Sequence, residues 1–310
     1  MLTGANGFVG NSFYKHCKSN NIQVKVALRN LTPQCSELDS YVVGDINSNT
    51  NYIEALQDVE FVVHLAARVH IMEKSTQENL SDYRQVNVEG TRNLAIQAAN
   101  AGVKRFIFIS SIKVNGESTQ PEQKYTAEDI PNPEDAYAIS KYEAEQALLE
   151  LATKTGMEVV IIRFPLVYGP GVKANFRSLM NIVSKGFPLP LGVLTNNRRS
   201  LVGVDNLVDF IITCINHSAA ANQVFLVSDD EDLSTAELLH RMYKSIGAQD
   251  RLFSVPLWFL KSCATAVGKN NFFQRLCGSL QVDISKSKNL LNWSPTVSVD
   301  EGLRRAFGGH

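Results

Sequence analysis

Short apolar runs and longer helical stretches alternate along the first two-thirds of the chain. Ile22–Leu28, Tyr41–Val43, Val59–Leu65, Arg105–Ile109 and Val159–Ile162 are continuously apolar or nearly so, the pattern of strands covered on both faces. Between them, Tyr83–Ala101 places Val86, Leu94, Ala95, Ala98 and Ala99 at helical spacing, and Tyr137–Ala152 does the same with Ala144, Ala147, Leu148 and Leu151. This alternation predicts a parallel sheet with right-handed crossovers, a doubly wound α/β layer. After Arg163 the rhythm breaks: prolines at 165, 170, 188 and 190 and glycines at 169, 171, 186 and 192 mark irregular chain, with one helix predicted over Asn175–Lys185. Val224–Val227 predicts a return to the main sheet, and from Asp229 onward the patterns are helical. The expected organisation is a main layer of residues 1–165 and 203–228, with a smaller, discontinuous, mainly helical domain of residues 166–202 and 229–310.

Composition narrows the function. Thirty basic and 31 acidic side chains give a net charge of −1, too balanced for a nucleic-acid partner. The longest apolar stretch, Val59–Val69, is broken by His64 and Arg68, so no membrane span is expected. The N-terminus has no basic region followed by an apolar one, and a cytoplasmic protein is the expectation. Five scattered cysteines contain no C-x-x-C pair, and no two histidines stand at metal-ligand spacing; reduced thiols and no metal are expected.

The first site is Thr3-Gly4-Ala5-Asn6-Gly7-Phe8-Val9-Gly10, a G-x-x-G-x-x-G opening a helix. Glycines there permit a tight turn and a close backbone approach, so helix N–H groups can face a pyrophosphate. Only Met1 and Leu2 precede the loop, where five or six strand residues are usual. Either the start lies further upstream or the first strand is unusually short, with fewer ladder hydrogen bonds at about 1 kcal/mol each and a looser cofactor. An acidic residue about 20 positions past the glycines normally holds the ribose 2′-hydroxyl of NAD. Leu28-Arg29-Asn30 stands there instead, and Arg29 suits a 2′-phosphate, so NADP(H) is favoured within an NAD(P) site. Asp45 and Ile46 are expected at the adenine, the first accepting from its amino group and the second packing on its face.

The second site is Tyr137-Ala138-Ile139-Ser140-Lys141, which puts a phenol and an ammonium one helical turn apart. A close ammonium is expected to lower the phenol pKa toward the range of acid/base work. Ser111 ends the strand Arg105–Ser110, at the carboxyl edge where such sheets hold their ligands. Its hydroxyl is placed to hold the substrate oxygen that Tyr137 protonates or deprotonates.

Taken in order, T-G-A-N-G-F-V-G, Leu65-Ala66-Ala67, N-V-E-G-T at 87–91, Ser110-Ser111, Y-x-x-x-K and R-F-P-L-V-Y-G-P-G at 163–171 resemble an extended short-chain dehydrogenase/reductase of the nucleotide-sugar epimerase/dehydratase family. The likeness spans nearly the whole chain, from Thr3 to about Phe307, and is nearest to UDP-hexose 4-epimerases and UDP-4-keto-6-deoxy-N-acetylglucosamine 4-reductases. It implies a Rossmann layer and a nucleotide-sugar domain, with Gly4, Asn6, Gly7, Phe8, Val9 and Gly10 around the pyrophosphate. Leu65, Ala66, Ala67 and Ser110 would line the cofactor path, Asn87 would steady the active-site helix, and Lys141 would hold the nicotinamide ribose. Pro165, Val167 and Tyr168 would lie near the nicotinamide and the substrate mouth. Lys113, Asn115, Asn175, Leu191 and Arg199 would contact the substrate, with Arg199 as the diphosphate partner because a diphosphate calls for a bidentate cation. A homodimer, paired through the helices at 83–101 and 137–152, is also implied.

Family dehydratases carry an Asp-Glu pair after the active-site Ser or Thr; here Ile112-Lys113 stands there, which disfavours dehydration. Between the remaining outcomes, the absent acid near Arg29 and the S-S-I-K-V-N-G-E segment at 110–117 lean toward 4-keto-sugar reduction for surface-glycan precursors, with 4-epimerisation of a UDP-hexose as the alternative. A dinucleotide-binding regulator without turnover is a further reading, but such proteins usually lose the Tyr or the Lys.

Overall fold

The computed structural model describes residues 1–31, 39–69, 80–120, 122–266, 268 and 270–308, with the backbone alone at 174, 175, 271 and 272. Seven strands form the main sheet: β1 (Leu2–Thr3), β2 (Val26–Leu28), β3 (Ser40–Val42), β4 (Phe61–His64), β5 (Arg105–Ile109), β6 (Glu158–Arg163) and β9 (Gln223–Leu226). Their order is β3-β2-β1-β4-β5-β6-β9, and every pairing is parallel. The order reverses between β1 and β4, which opens a crevice at the carboxyl edge of the sheet. This is the Rossmann layer anticipated from the alternating runs.

The central strand, β1, has two residues in this chain: Leu2 and Thr3 pair on both sides, with Val26 and Ala27 in β2 and with Val63 and His64 in β4, and Leu2 is wholly buried. The second strand begins later than its apolar run suggests. Ile22 is exposed, and its N–H closes the preceding helix on Cys17 O at 2.9 Å, so pairing starts only at Val26.

Helices cover both faces. Helix α1 (Phe8–Ser19) packs with α6 (Val204–Asn216) on one side. On the other, α2 (Leu80–Tyr83), a π-helical stretch at Arg84–Gly90 and α3 (Thr91–Asn100) pack against α4 (Ala136–Thr155). The single helix expected over Tyr83–Ala101 therefore contains a seven-residue π segment, a rare, wider coil that is frequent at functional sites. Gly90 closes it where a Cβ would stand 2.4 Å from the Ile46 side chain, so only glycine lets the helix pass this loop. Helix α4 starts at Asp135, whose Oδ1 accepts from Ala138 N at 2.7 Å, and ends at Gly156 in the left-handed region at φ 76°.

A second sheet was not anticipated. Strands β7 (Leu166–Tyr168), β8 (Arg199–Gly203) and β10 (Asp232–Leu233) run in the order β10-β8-β7, β8 parallel to β7 and antiparallel to β10. They are too short, and too close to proline and glycine, to show as periodic runs. With α5 (Ala174–Ser184), α7 (Thr235–Ser245) and α11 (Val299–Ala306) they enclose a separate core around Phe176, Leu201, Leu239, Met242 and Leu303. Helices α8 (Leu257–Ala266), α9 (Asn270–Cys277) and α10 (Ser285–Leu291) complete the fold. No helix among the described residues is long and apolar enough to cross a membrane.

Candidate active site

The first cleft, about 730 Å³, opens at the reversal of strand order. The glycine loop lines it, with Ala27–Asn30 after β2, Val43, Gly44 and Ile46 after β3, Leu65–Ala67 after β4, and Ile109 and Ser110 after β5. At Gly4 and Gly10 the backbone admits no larger residue. Gly4 has φ +75°, and a Cβ there would meet Ala66 N at 2.7 Å; a Cβ on Gly10 would lie 2.1 Å from Gly4 O. Helix α1 begins after Gly7 with no side-chain cap and no acidic residue in its first turn, so its N-terminus is suited to an anion. These residues fit a dinucleotide pyrophosphate.

The second cleft, about 770 Å³, is lined by Ser111, Ile112, Lys113, Glu117, Pro165, Leu166, Arg199, Gln274, Arg275 and residues of α7. Tyr137 and Phe164 line both clefts. The phenol thus stands where the two chambers meet, with Lys141 on the first and Ser111 on the second.

Electrostatics depart from the expected acidified phenol. Burial, with Asp135 nearby, raises the Tyr137 pKa, and burial pushes Lys141 down to about 7 against the opposing pull of Glu145. The Lys141 ammonium donates to Ile109 O at 2.8 Å and lies 4.4 Å from the Phe108 ring centroid. Its charge is thereby committed to the end of β5. Spacing on a helix fixes which side chains share a face, whereas these pKa values follow from burial and partners that spacing does not show.

Several expected contacts are redirected. Asp45 is not among the cleft-lining residues; its carboxylate pairs with Arg29 at 2.8 Å, and both side chains are exposed. Arg29 and Ile46 do line the cleft. Asn87 is buried with its amide spent on the protein, donating to Ser140 Oγ at 2.9 Å and Arg68 O at 3.0 Å and accepting from Arg68 N at 2.8 Å. It is thus tied to α4 beside Lys141, and does not line the cleft. The Ser110 hydroxyl turns to Glu145. Asn115 is buried between Arg163 and Thr126 O, each at 3.0 Å. Tyr168 donates to Asp229 at 2.7 Å in the joint between the sheets, Val167 belongs to the main core, and Leu191 packs beside the second core. None of these last four lines either cleft, and Pro165 lines the second only. Asn175 lies outside the described side chains.

Arg199 does line the second cleft, where burial lowers its pKa and Arg275 lies close; its Nη1 donates to Arg275 O and Gly278 O at 2.9 and 3.1 Å. Lys113 Nζ stands between Glu117 and Asp135 at 2.6 Å from each. Sequence reasoning missed Glu117, Asp135, Glu145, Arg163 and Arg275. A signal existed for two of them: Asp135 directly precedes the helix, and Glu145 repeats the four-residue step from Tyr137 to Lys141.

The chain is 50% identical over 307 residues, 98% of its length and 93% of the relative's, to a UDP-glucose 4-epimerase of Vibrio cholerae. An Escherichia coli O157:H7 N-acetyl-alpha-D-glucosaminyl-diphospho-ditrans,octacis-undecaprenol 4-epimerase is 29% identical, over 79% of this chain and 72% of its own. Among solved structures, UDP-N-acetylglucosamine 4-epimerase from Bacillus cereus superposes with a TM-score of 0.80 at 20% identity, covering 99% of this chain and 96% of that one. UDP-glucuronic acid 4-epimerase from the same organism, in complex with NAD, gives 0.77 at 22% identity, covering 99% and 94%. Residues 1–228, which carry the glycine loop, Ser111, Tyr137 and Lys141, match the NAD dependent epimerase/dehydratase family, and the chain belongs to it.

Proposed function

We propose that the protein is an NAD-dependent UDP-hexose 4-epimerase. The observation that carries this reading is the position of Tyr137 in the wall shared by the two clefts, supported by the 50% identity to a UDP-glucose 4-epimerase. In this reading the glycine loop and the α1 N-terminus hold the pyrophosphate, and Arg199 and Arg275 hold the sugar-linked diphosphate. Ser111 orients the C4 hydroxyl while Tyr137 removes its proton and later returns it. Lys141, released from Ile109 O, holds the nicotinamide ribose and stabilises the phenolate. An oxidised nicotinamide held there would supply a hydride acceptor for C4, and its positive charge would favour the ionised phenol.

The expected lean to ketoreduction rested on Arg29 as a 2′-phosphate partner and on the segment at 110–117; the 50% identical relative is a 4-epimerase. The Asp45 carboxylate against Arg29 would repel a 2′-phosphate, and this favours NAD and, with it, epimerisation. Homodimerisation through α3 and α4 belongs to the same proposal. The test is to denature purified protein, identify the released dinucleotide, and follow UDP-glucose and UDP-galactose by chromatography. Stoichiometric NAD with interconversion of the two sugars is expected. Dinucleotide-free protein that instead consumes NADPH with a 4-keto sugar would overturn the epimerase reading in favour of the reductase.

A further inference from the structure

Beyond Lys141, the next side chain along the same face of α4 is Glu145, whose side chain is 1% exposed. It pairs with Arg163, itself 4% exposed, through Nη2 to Oε2 at 2.6 Å and Nε to Oε1 at 3.0 Å. The Ser110 hydroxyl donates to the same carboxylate. The remaining guanidinium arm, Nη1, donates to Asn115 Oδ1 at 3.0 Å, and Asn115 in turn donates to Thr126 O at 3.0 Å. One buried ion pair therefore grips both ends of the segment 110–115, the segment that holds Ser111. Its acidic member stands on the helix that carries Tyr137, and its basic member ends β6 just before Phe164, a wall residue of both clefts. One turn back along α4, Lys141 ties the helix to Ile109 O.

We propose that Glu145 and Arg163 are positioning residues that set the placement of Ser111 relative to Tyr137, a role resting on the epimerase reading of the same site. A buried ion pair adds little stability over apolar side chains of similar volume. What this pair supplies instead is direction: a bidentate fork fixes two strand ends and one helix in a single geometry. Reaction at C4 requires the two hydroxyl-bearing side chains to meet one sugar oxygen together, and small displacements of such groups cost rate far more than affinity.

Three variants test this with UDP-glucose: Ser110→Ala, which removes one hydroxyl and leaves the ion pair intact, Glu145→Gln and Glu145→Asp. Ser110→Ala is expected to lower kcat about tenfold and Glu145→Gln about 100-fold, each with KM within about threefold, and Glu145→Gln with dinucleotide content unchanged. Glu145→Asp should recover part of the loss. Amide hydrogen exchange over residues 110–116 reads the tether without turnover, and should quicken in Glu145→Gln while α1 keeps its protection. Unchanged kcat in folded Ser110→Ala and Glu145→Gln, or unchanged exchange in Glu145→Gln, would overturn the proposal. A wild-type protein inactive on UDP-glucose would count against the epimerase reading, and the exchange result would still decide whether the tether exists.

Discussion

At the scale of single residues, Tyr137 and His64 show how burial assigns protonation. Removing the phenol oxygen should abolish proton transfer and leave the glycine loop at the far side of the first cleft as it is. Tyr137→Phe is thus expected to lower turnover by about 10²–10⁴-fold while the protein purifies with its usual dinucleotide content. His64 is buried between Thr3 Oγ1 at 2.7 Å and Thr91 Oγ1 at 2.9 Å, linking β1, β4 and α3. Burial, with Lys141 adding repulsion, lowers its pKa to about 3. The unfolded chain takes up this proton near pH 6.5 and the folded chain only near 3, so the stability is complete above 6.5 and is lost as pH falls toward 3. The slope from this residue reaches about 1.4 kcal/mol per pH unit. Urea unfolding at pH 5 and 6 should show a shallower pH dependence for His64→Gln than for wild type; equal slopes would refute the assignment. In the sequence His64 was only a polar interruption of an apolar run. Tyr137, Lys141 and Ser111 were legible because a spaced motif declares itself locally. Glu145 continues the same four-residue step, but its pairing with Arg163 was not legible, because an ion pair between side chains on different elements leaves no local pattern.

At the scale of elements, α4 and the strands of the main sheet other than β1 followed directly from their apolar patterns, since each buries its own faces, and the glycine loop followed from its spaced glycines. The π segment was hidden, because its extra residue per turn alters the helical register only slightly. The small sheet was hidden by brevity. Its joint to the main body depends on Asp229, whose carboxylate accepts from Gly203 N, Asn206 and Tyr168. Tyr168→Phe removes one donor from a buried carboxylate and should cost about 1–3 kcal/mol of stability, measured by denaturant unfolding. If Tyr168 acts only in this joint, KM for the nucleotide sugar stays unchanged; a large rise in KM would return Tyr168 to the substrate wall. Gly10→Ala tests the loop at its tightest point. With a Cβ 2.1 Å from Gly4 O, the turn must open, and bound dinucleotide should fall by about tenfold or more; full occupancy in the variant would contradict the described cradle.

Across the whole molecule, charge is sorted along the second cleft. Arg199 and Arg275 mark one part of it, while Lys113 between Glu117 and Asp135 marks the part nearer Ser111 and Tyr137. The latter group sums to one positive and two negative charges, an environment that disfavours a further carboxylate. A neutral hexose should therefore be preferred over the corresponding uronic acid by about tenfold or more in kcat/KM, and Glu117→Gln should narrow that ratio. Equal use of UDP-glucose and UDP-glucuronate would remove this account. The overall layout was legible early because alternating strands and helices admit few topologies. How the second domain shapes its cleft was not, since its walls come from segments separated by more than 100 residues. The partition made by Tyr137 and Phe164 has an evolutionary corollary. Mutations that reshape this party wall reach both tenants at once, so descendants seeking a different sugar can experiment more safely at second-cleft positions outside it, such as Glu117.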